Sequence, residues 1–145
     1  MLTDKQLTAR AGAETWSVQQ IVEHLVLSDE TVGYAQDAGT IPPEAALFRI
    51  LPRAVRRALV LAAFKRNAVL PLPSPAIEPL GNVPLPELLE RWERARTELK
   101  GVLETVGTET RWFHPIVGPL TALQLLTLAE VHTAYHMRQM ERASL

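Results

Sequence analysis

Wherever apolar residues recur regularly in this sequence they recur at helical spacing, and no stretch alternates convincingly with period two. The expected fold class is therefore all-α. Two helices carry explicit start signals. In "WSVQQI" Ser17 is placed to cap and Gln20 stands at the third helical position, a capping box, with Trp16 and Ile21 as a hydrophobic staple. "LTALQL" repeats the device with Thr121, Gln124, Leu120 and Leu125. The first helix should run from about Val18 to the Gly39–Pro43 turn, and the last from about Ala122 to the C-terminus. Between them, Glu44 to Arg66 is amphipathic, with Phe48, Leu51, Val55, Leu59 and Ala62 on one side and Pro52 placed to kink or split it. Leu85 to Val106 turns Leu88, Leu89, Trp92, Ala95, Leu99, Val102 and Leu103 inward. The result is a four-helix bundle, one domain over 1–145.

The connection between the second and third helices, "LPLPSPAIEPLGNVPLP" (residues 70–86), holds Pro71, Pro73, Pro75, Pro79, Pro84 and Pro86. A Pro-rich stretch stays extended, at about 3 Å per residue. It can cross the bundle or lie over one end as a lid, although a stiff spacer is the simplest role for such a composition.

Composition narrows the function. A formal net charge of −1 argues against an electrostatic nucleic-acid partner. The absence of cysteine removes disulfides, thiolate metal sites and a cysteine nucleophile, and fits a reducing cytosol. "MLTDKQLTAR" has no signal-peptide core, and the longest compact apolar run, Ala58 to Phe64, is too short to span a bilayer. A soluble, cytoplasmic protein with no membrane span is expected.

The chemistry lies in the histidines. In "EVHTAYHMRQME" (residues 130–141), His132 and His136 stand one above the other on the stripe that also carries Leu125, Leu128 and Ala129. His24, in "IVEHLVLSD", shares its stripe with Ile21, Leu25 and Ser28. Alone, it would be a core histidine bonded to a carbonyl. Its depth suggests more. His24 lies about 10 Å past its cap, and the other pair centres about 20 Å past Thr121. Antiparallel helices about 30 Å long bring these levels together, whereas parallel ones miss by about 9 Å. Three neutral imidazoles suit a divalent transition metal such as zinc, nickel or iron, with one coordination position left for water or substrate.

"WSVQQIVEHLVLSD" (residues 16–29) and "HPIVGPLTALQLLTLAEVHTAYHMRQMER" (residues 114–142) together resemble the DinB-like superfamily of metal-binding four-helix bundles. The Pro-rich connection followed by "ELLERWERARTELKGVLETV" also fits it. The resemblance implies that His24, His132 and His136 correspond to the family's histidine metal triad. It also implies a metal-dependent enzyme, a thiol-dependent transferase or a hydrolase, acting on a small molecule. One departure stands out: relatives have a long helix before the "WS" motif, and here only about fifteen residues precede it. The Glu44–Arg66 helix can take that position, or a second subunit can cover the gap, so a homodimer is possible. Two other readings stay open: a metal-stabilised binding or dimerisation module without catalysis, and a plain bundle with three satisfied core histidines.

Further residues have expected roles. Gln20 and Gln139, spaced at i−4 from His24 and i+3 from His136, are placed to orient the imidazoles; Glu23 and Glu130, each next to a candidate ligand, need not reach the metal and are expected at the surface or behind the ligands, where either could still orient an imidazole or serve as base. Tyr135 belongs at the edge of the core. His114, in the loop "WFHPIVGP", is expected to be exposed or hydrogen-bonded structurally. Arg49, Arg53, Arg56, Arg57, Lys65 and Arg66 should form a solvated face paired with Glu87, Glu90 and Glu93. Acidification below about pH 6 should release metal and stability together, and a metal-free protein should lack the loss.

Overall fold

The computed structural model describes residues 3–10, 12, 15–34, 50–70, 72, 75–106, 110–114 and 116–143. Among these the chain is mostly helical: α1 (Asp4–Thr8), α2 (Val18–Tyr34), α3 (Arg53–Lys65), α4 (Leu85–Thr105) and α5 (Ala122–Ala143), with a small hairpin of β1 (Trp112–His114) and β2 (Gly118–Leu120). Before the "WS" motif there is only the single-turn α1, closed by a Thr3–Gln6 capping box. No helix among the described residues is long and apolar enough to cross a membrane.

Both expected capping boxes form. Gln20 N–H donates to Ser17 Oγ (3.3 Å) and Ser17 N–H to Gln20 Oε1 (3.2 Å). Gln124 N–H donates to Thr121 Oγ1 (3.3 Å) and Thr121 N–H to Gln124 Oε1 (3.1 Å). These caps satisfy orphan donors at the starts of the two helices that carry the histidines.

Helices α2 and α4 make the largest helix–helix contact, around the fully buried Val26 and Leu88. Their outer edge is fastened by charge. Arg91 forks onto both carboxylate oxygens of Glu30 (2.9 and 2.7 Å), while Asp29 Oδ2 accepts from Trp92 Nε1 (2.6 Å) and Arg96 Nε (3.0 Å). The Arg96 guanidinium also covers the Trp92 ring at 4.6 Å. From Gln19–Val83 to Glu30–Arg91, contacts advance together along α2 and α4, so the two run parallel. The last turns of α4 (Leu99, Val102, Leu103) pack on the first turns of α5 (Leu125, Leu128), and Met140 packs near Leu85 and Leu88. Thus α5 is antiparallel to α4 and to α2, the sense that the depth of the histidines requires.

Pro52 breaks the chain as a split there requires: residues 50–52 form a turn and bend, and α3 starts after Pro52, which has no N–H to give. Other expectations need correction. Residues 44–49, including Phe48 and Arg49, lie outside the described residues. The face of α3 is also rotated. Leu51, Val55 and Leu59 are exposed, while Arg56 and Val60 are buried and Leu61 and Phe64 pack on the core. Leu89 is exposed on α4. Helix α3 packs on α5, where Arg138 donates to the Phe64 carbonyl (2.9 Å) and Asn67 Oδ1 (2.8 Å), and the acids of α4 that were to pair with it stand exposed. The hairpin was not expected; its strands of three residues each are too short to display alternation. It pairs Trp112 with Leu120 and His114 with Gly118.

The Pro-rich connection lies along α2. Its one described turn of 3-10 helix, Pro75–Ile77, buries Ile77. Further on, Gly81 N–H donates to the buried carboxylate of Glu23 (2.6 Å), and Gln19 Nε2 donates to the Val83 carbonyl (2.7 Å). Gly81 has φ +75°, and a Cβ there would stand 3.0 Å from Gln20 Cγ. An alanine pays both the left-handed backbone penalty and the crowding, so Gly81→Ala should lower stability by about 1–2 kcal/mol. Urea unfolding of the two proteins measures this, and equal midpoints would contradict it.

Candidate metal centre

His24 on α2 and His132 and His136 on α5 converge at one level of the bundle. His132 Nε2 stands 3.0 Å from His136 Nε2 and 3.3 Å from His24 Nε2. The three ligand atoms all lie within 4.8 Å of one another. A tetrahedral ion with metal–nitrogen bonds of about 2.0–2.1 Å spaces its ligand nitrogens about 3.3 Å apart, close to the two separations from His132 Nε2.

The opposite ring edges fix the tautomers. His24 Nδ1 donates to the Ile77 carbonyl (2.8 Å), and His136 Nδ1 donates to Gln139 Oε1 (2.7 Å), whose amide in turn donates to Tyr135 Oη (2.7 Å). With the proton on Nδ1, each neutral ring turns its Nε2 lone pair toward His132. The His132 Nε2 proton, if present, can satisfy only one of them. Nitrogen lone pairs therefore face each other in a buried place, a repulsion that a shared cation removes. The donor set fits a divalent transition metal held by neutral imidazoles, and no Asp or Glu belongs to the cluster among the described residues.

Burial keeps the rings neutral. It lowers the pKa of His24 against the opposing bond to Ile77. It lowers His136 to about 4, with the charge of His24 adding to the effect. His132 falls furthest, to about 2, by burial first and then by the charges of His136, His24 and His114. Tyr135 is shifted up, chiefly by burial, so its hydroxyl keeps its proton.

Aromatic rings wall the centre. Trp16 lies 4.8 Å from His24 and 6.2 Å from His136 between centroids; Phe64 lies 5.1 Å from His132, and Tyr135 4.8 Å from His136. Sequence pattern marks Trp16 only as a staple and gives Phe64 no role. The Ile77 carbonyl, which orients His24, was equally invisible because any residue type offers a carbonyl. Gln139 takes its expected place, whereas Gln20 is occupied by its capping box. Glu23 faces Gly81 and Glu130 is exposed. His114 ends β1, half-buried, with its Nδ1 accepting backbone N–H bonds from Ile116 (3.1 Å) and Val117 (3.4 Å).

The family model of the DinB superfamily matches residues 1–140. The chain therefore belongs to the DinB superfamily. No curated protein sequence matches it.

The depressed pKa values give a reason for the metal-free protein also to respond to mild acid, contrary to expectation. An unfolded imidazole takes up a proton near pH ~6.5, but the buried rings do so only at much lower pH. The unfolded state then binds more protons, so this stability is complete above about pH 6.5 and is lost as pH falls toward the folded values. Metal-free protein should lose melting temperature between about pH 7 and about pH 5, with a limiting slope of about 1.4 kcal/mol per pH unit per ring. His132→Leu should flatten the slope in thermal melts across that range. An unchanged slope would mean that other groups set it.

Proposed function

We propose that the chain is a metal-dependent enzyme, a thiol-dependent transferase or a hydrolase acting on a small molecule, with His24, His132 and His136 as the metal ligands of a single domain over 1–145. One observation carries this reading: three Nε2 atoms meet while the protons of His24 and His136 are committed to Ile77 and Gln139. Zinc, nickel or iron suits the imidazole set equally. Bound there, such an ion supplies Lewis acidity at an open position, lowering the pKa of a coordinated heteroatom or polarising a carbonyl. The protein's own part is to hold the imidazoles in one tautomer through Ile77 and Gln139, and to shelter the position with Trp16, Phe64 and Tyr135. Since all three ligands are neutral, the full charge of the ion remains to act on the substrate.

Elemental analysis of protein purified without a chelating resin should find about one transition-metal ion per chain. His132→Ala and His136→Ala should each reduce occupancy by about ten-fold or more while keeping helix content. Turnover within a panel of small thiols, esters and amides should disappear in the same variants. Full occupancy without turnover of any of them would favour the second reading, a metal-stabilised binding or dimerisation module. The exposed apolar side chains Leu51, Val55 and Leu59 support that alternative. A strict monomer at high concentration in sedimentation would remove its dimeric form.

A further inference from the structure

Glu23 is a buried carboxylate that the metal chemistry leaves unused. Only 4% of the residue is exposed, and its Oε2 accepts the Gly81 N–H at 2.6 Å. It is not among the three residues that could hold an ion. A carboxylate taken out of water needs such a partner, and a backbone N–H bonded to it makes a strong, short contact.

This clamp is one of three between α2 and the Pro-rich connection. His24 Nδ1 meets the Ile77 carbonyl (2.8 Å), Glu23 meets Gly81, and Gln19 Nε2 meets the Val83 carbonyl (2.7 Å). Position numbers fall along α2 as they rise along the connection, so the two segments are zipped together in opposite directions. Ile77 is itself buried, and Gly81 lies against the Gln20 side chain. Ile77 stands four positions before Gly81, so fixing Gly81 limits how far the Ile77 carbonyl can move from His24.

A single proton connects this zipper to the three histidines. A neutral imidazole carries one N–H. An ion on His24 Nε2 needs that nitrogen bare, which puts the proton on Nδ1, where the Ile77 carbonyl accepts it. The opposite tautomer sets two acceptors, Nδ1 and the carbonyl, against each other. It also caps with a proton the nitrogen that faces His132 at 3.3 Å. A docked connection therefore selects the tautomer that can ligate, and a bound ion selects the docked connection. Preferences of this kind are reciprocal.

We propose that Glu23 is a positioning residue of the metal centre that acts through the connection: by clamping Gly81 it keeps the Ile77 carbonyl on His24 Nδ1, so that docking of residues 75–83 and metal binding stabilise one another. The proposal rests on the metal-centre reading above.

Calorimetric binding of zinc(II) to the full-length protein, together with hydrogen exchange at the Gly81 amide, tests it. Glu23→Ala removes the clamp and leaves all three imidazoles; it should bind zinc about ten-fold or more weakly. Glu23→Gln keeps a side-chain oxygen that can accept the Gly81 N–H, and should recover most of the affinity. In the unmodified protein, saturating zinc should slow exchange of the Gly81 amide by a comparable factor, beyond any slowing shared with the amides of α4. A purely structural clamp would give no such local response. Equal zinc affinity in Glu23→Ala would overturn the proposal, as would Gly81 exchange indifferent to zinc, or a Glu23→Gln variant as weak as Glu23→Ala. If Glu23→Ala fails to fold, the exchange response of the unmodified protein decides alone. Failure of the unmodified protein to bind zinc would instead overturn the metal centre itself.

Discussion

The hydrogen bond from His24 to the carbonyl of Ile77 joins the two parts of the molecule that have least in common, a capped helix and a proline-rich connection. A buried imidazole needs a partner for its ring nitrogens. By giving its Nδ1 proton to a backbone oxygen, His24 settles which nitrogen faces His132 and how the ring is turned. The connection is held in register for this by Glu23 and Gln19, which grip Gly81 and Val83 from the same helix. Its position is thus part of the geometry of the three-histidine cluster. On α5 the same need is met within the helix, where Gln139 lies one turn beyond His136 and hands the network on to Tyr135. One imidazole is oriented by a distant segment and another by its own helix.

The fold was legible where a signal is local and repeated. Capping boxes at Ser17 and Thr121 mark helix starts because the same few side chains must satisfy orphan N–H groups wherever a helix begins. Helix α4 follows its apolar periodicity from Leu85 to Thr105. Helix α3 misled for a physical reason. Its apolar and basic residues alternate around the axis closely enough that two faces look buriable, and the structure buries Arg56 and Val60 rather than Val55 and Leu59. The Arg56 guanidinium finds the Ile116 carbonyl in the hairpin, a partner no helical pattern could announce.

The candidate site was legible as a set of three residue types at compatible depths. Its surroundings were not. Spacing places His24, His132 and His136 on inward stripes, and Gln139 within reach of one of them. Trp16, Phe64 and the Ile77 carbonyl come from three separate segments, so their approach depends on tertiary packing alone. His114 shows the same division. The sequence permits a structural hydrogen bond there, and only the hairpin turn reveals which nitrogen makes it.

The close contact between His24 and His132 also governs the order in which this molecule can be made. The two residues are separated by 108 positions, and His24 meets Ile77 across 53. Contacts so remote in sequence carry a large loop-closure cost and form late unless other packing has already brought the segments together. During synthesis α2 and α4 can associate through Val26, Leu88 and the Glu30–Arg91 fork while α5 is still being added. Three convergent imidazoles cannot exist until α5 is complete and docked. A cluster with the geometry to hold an ion therefore exists only in an almost finished fold.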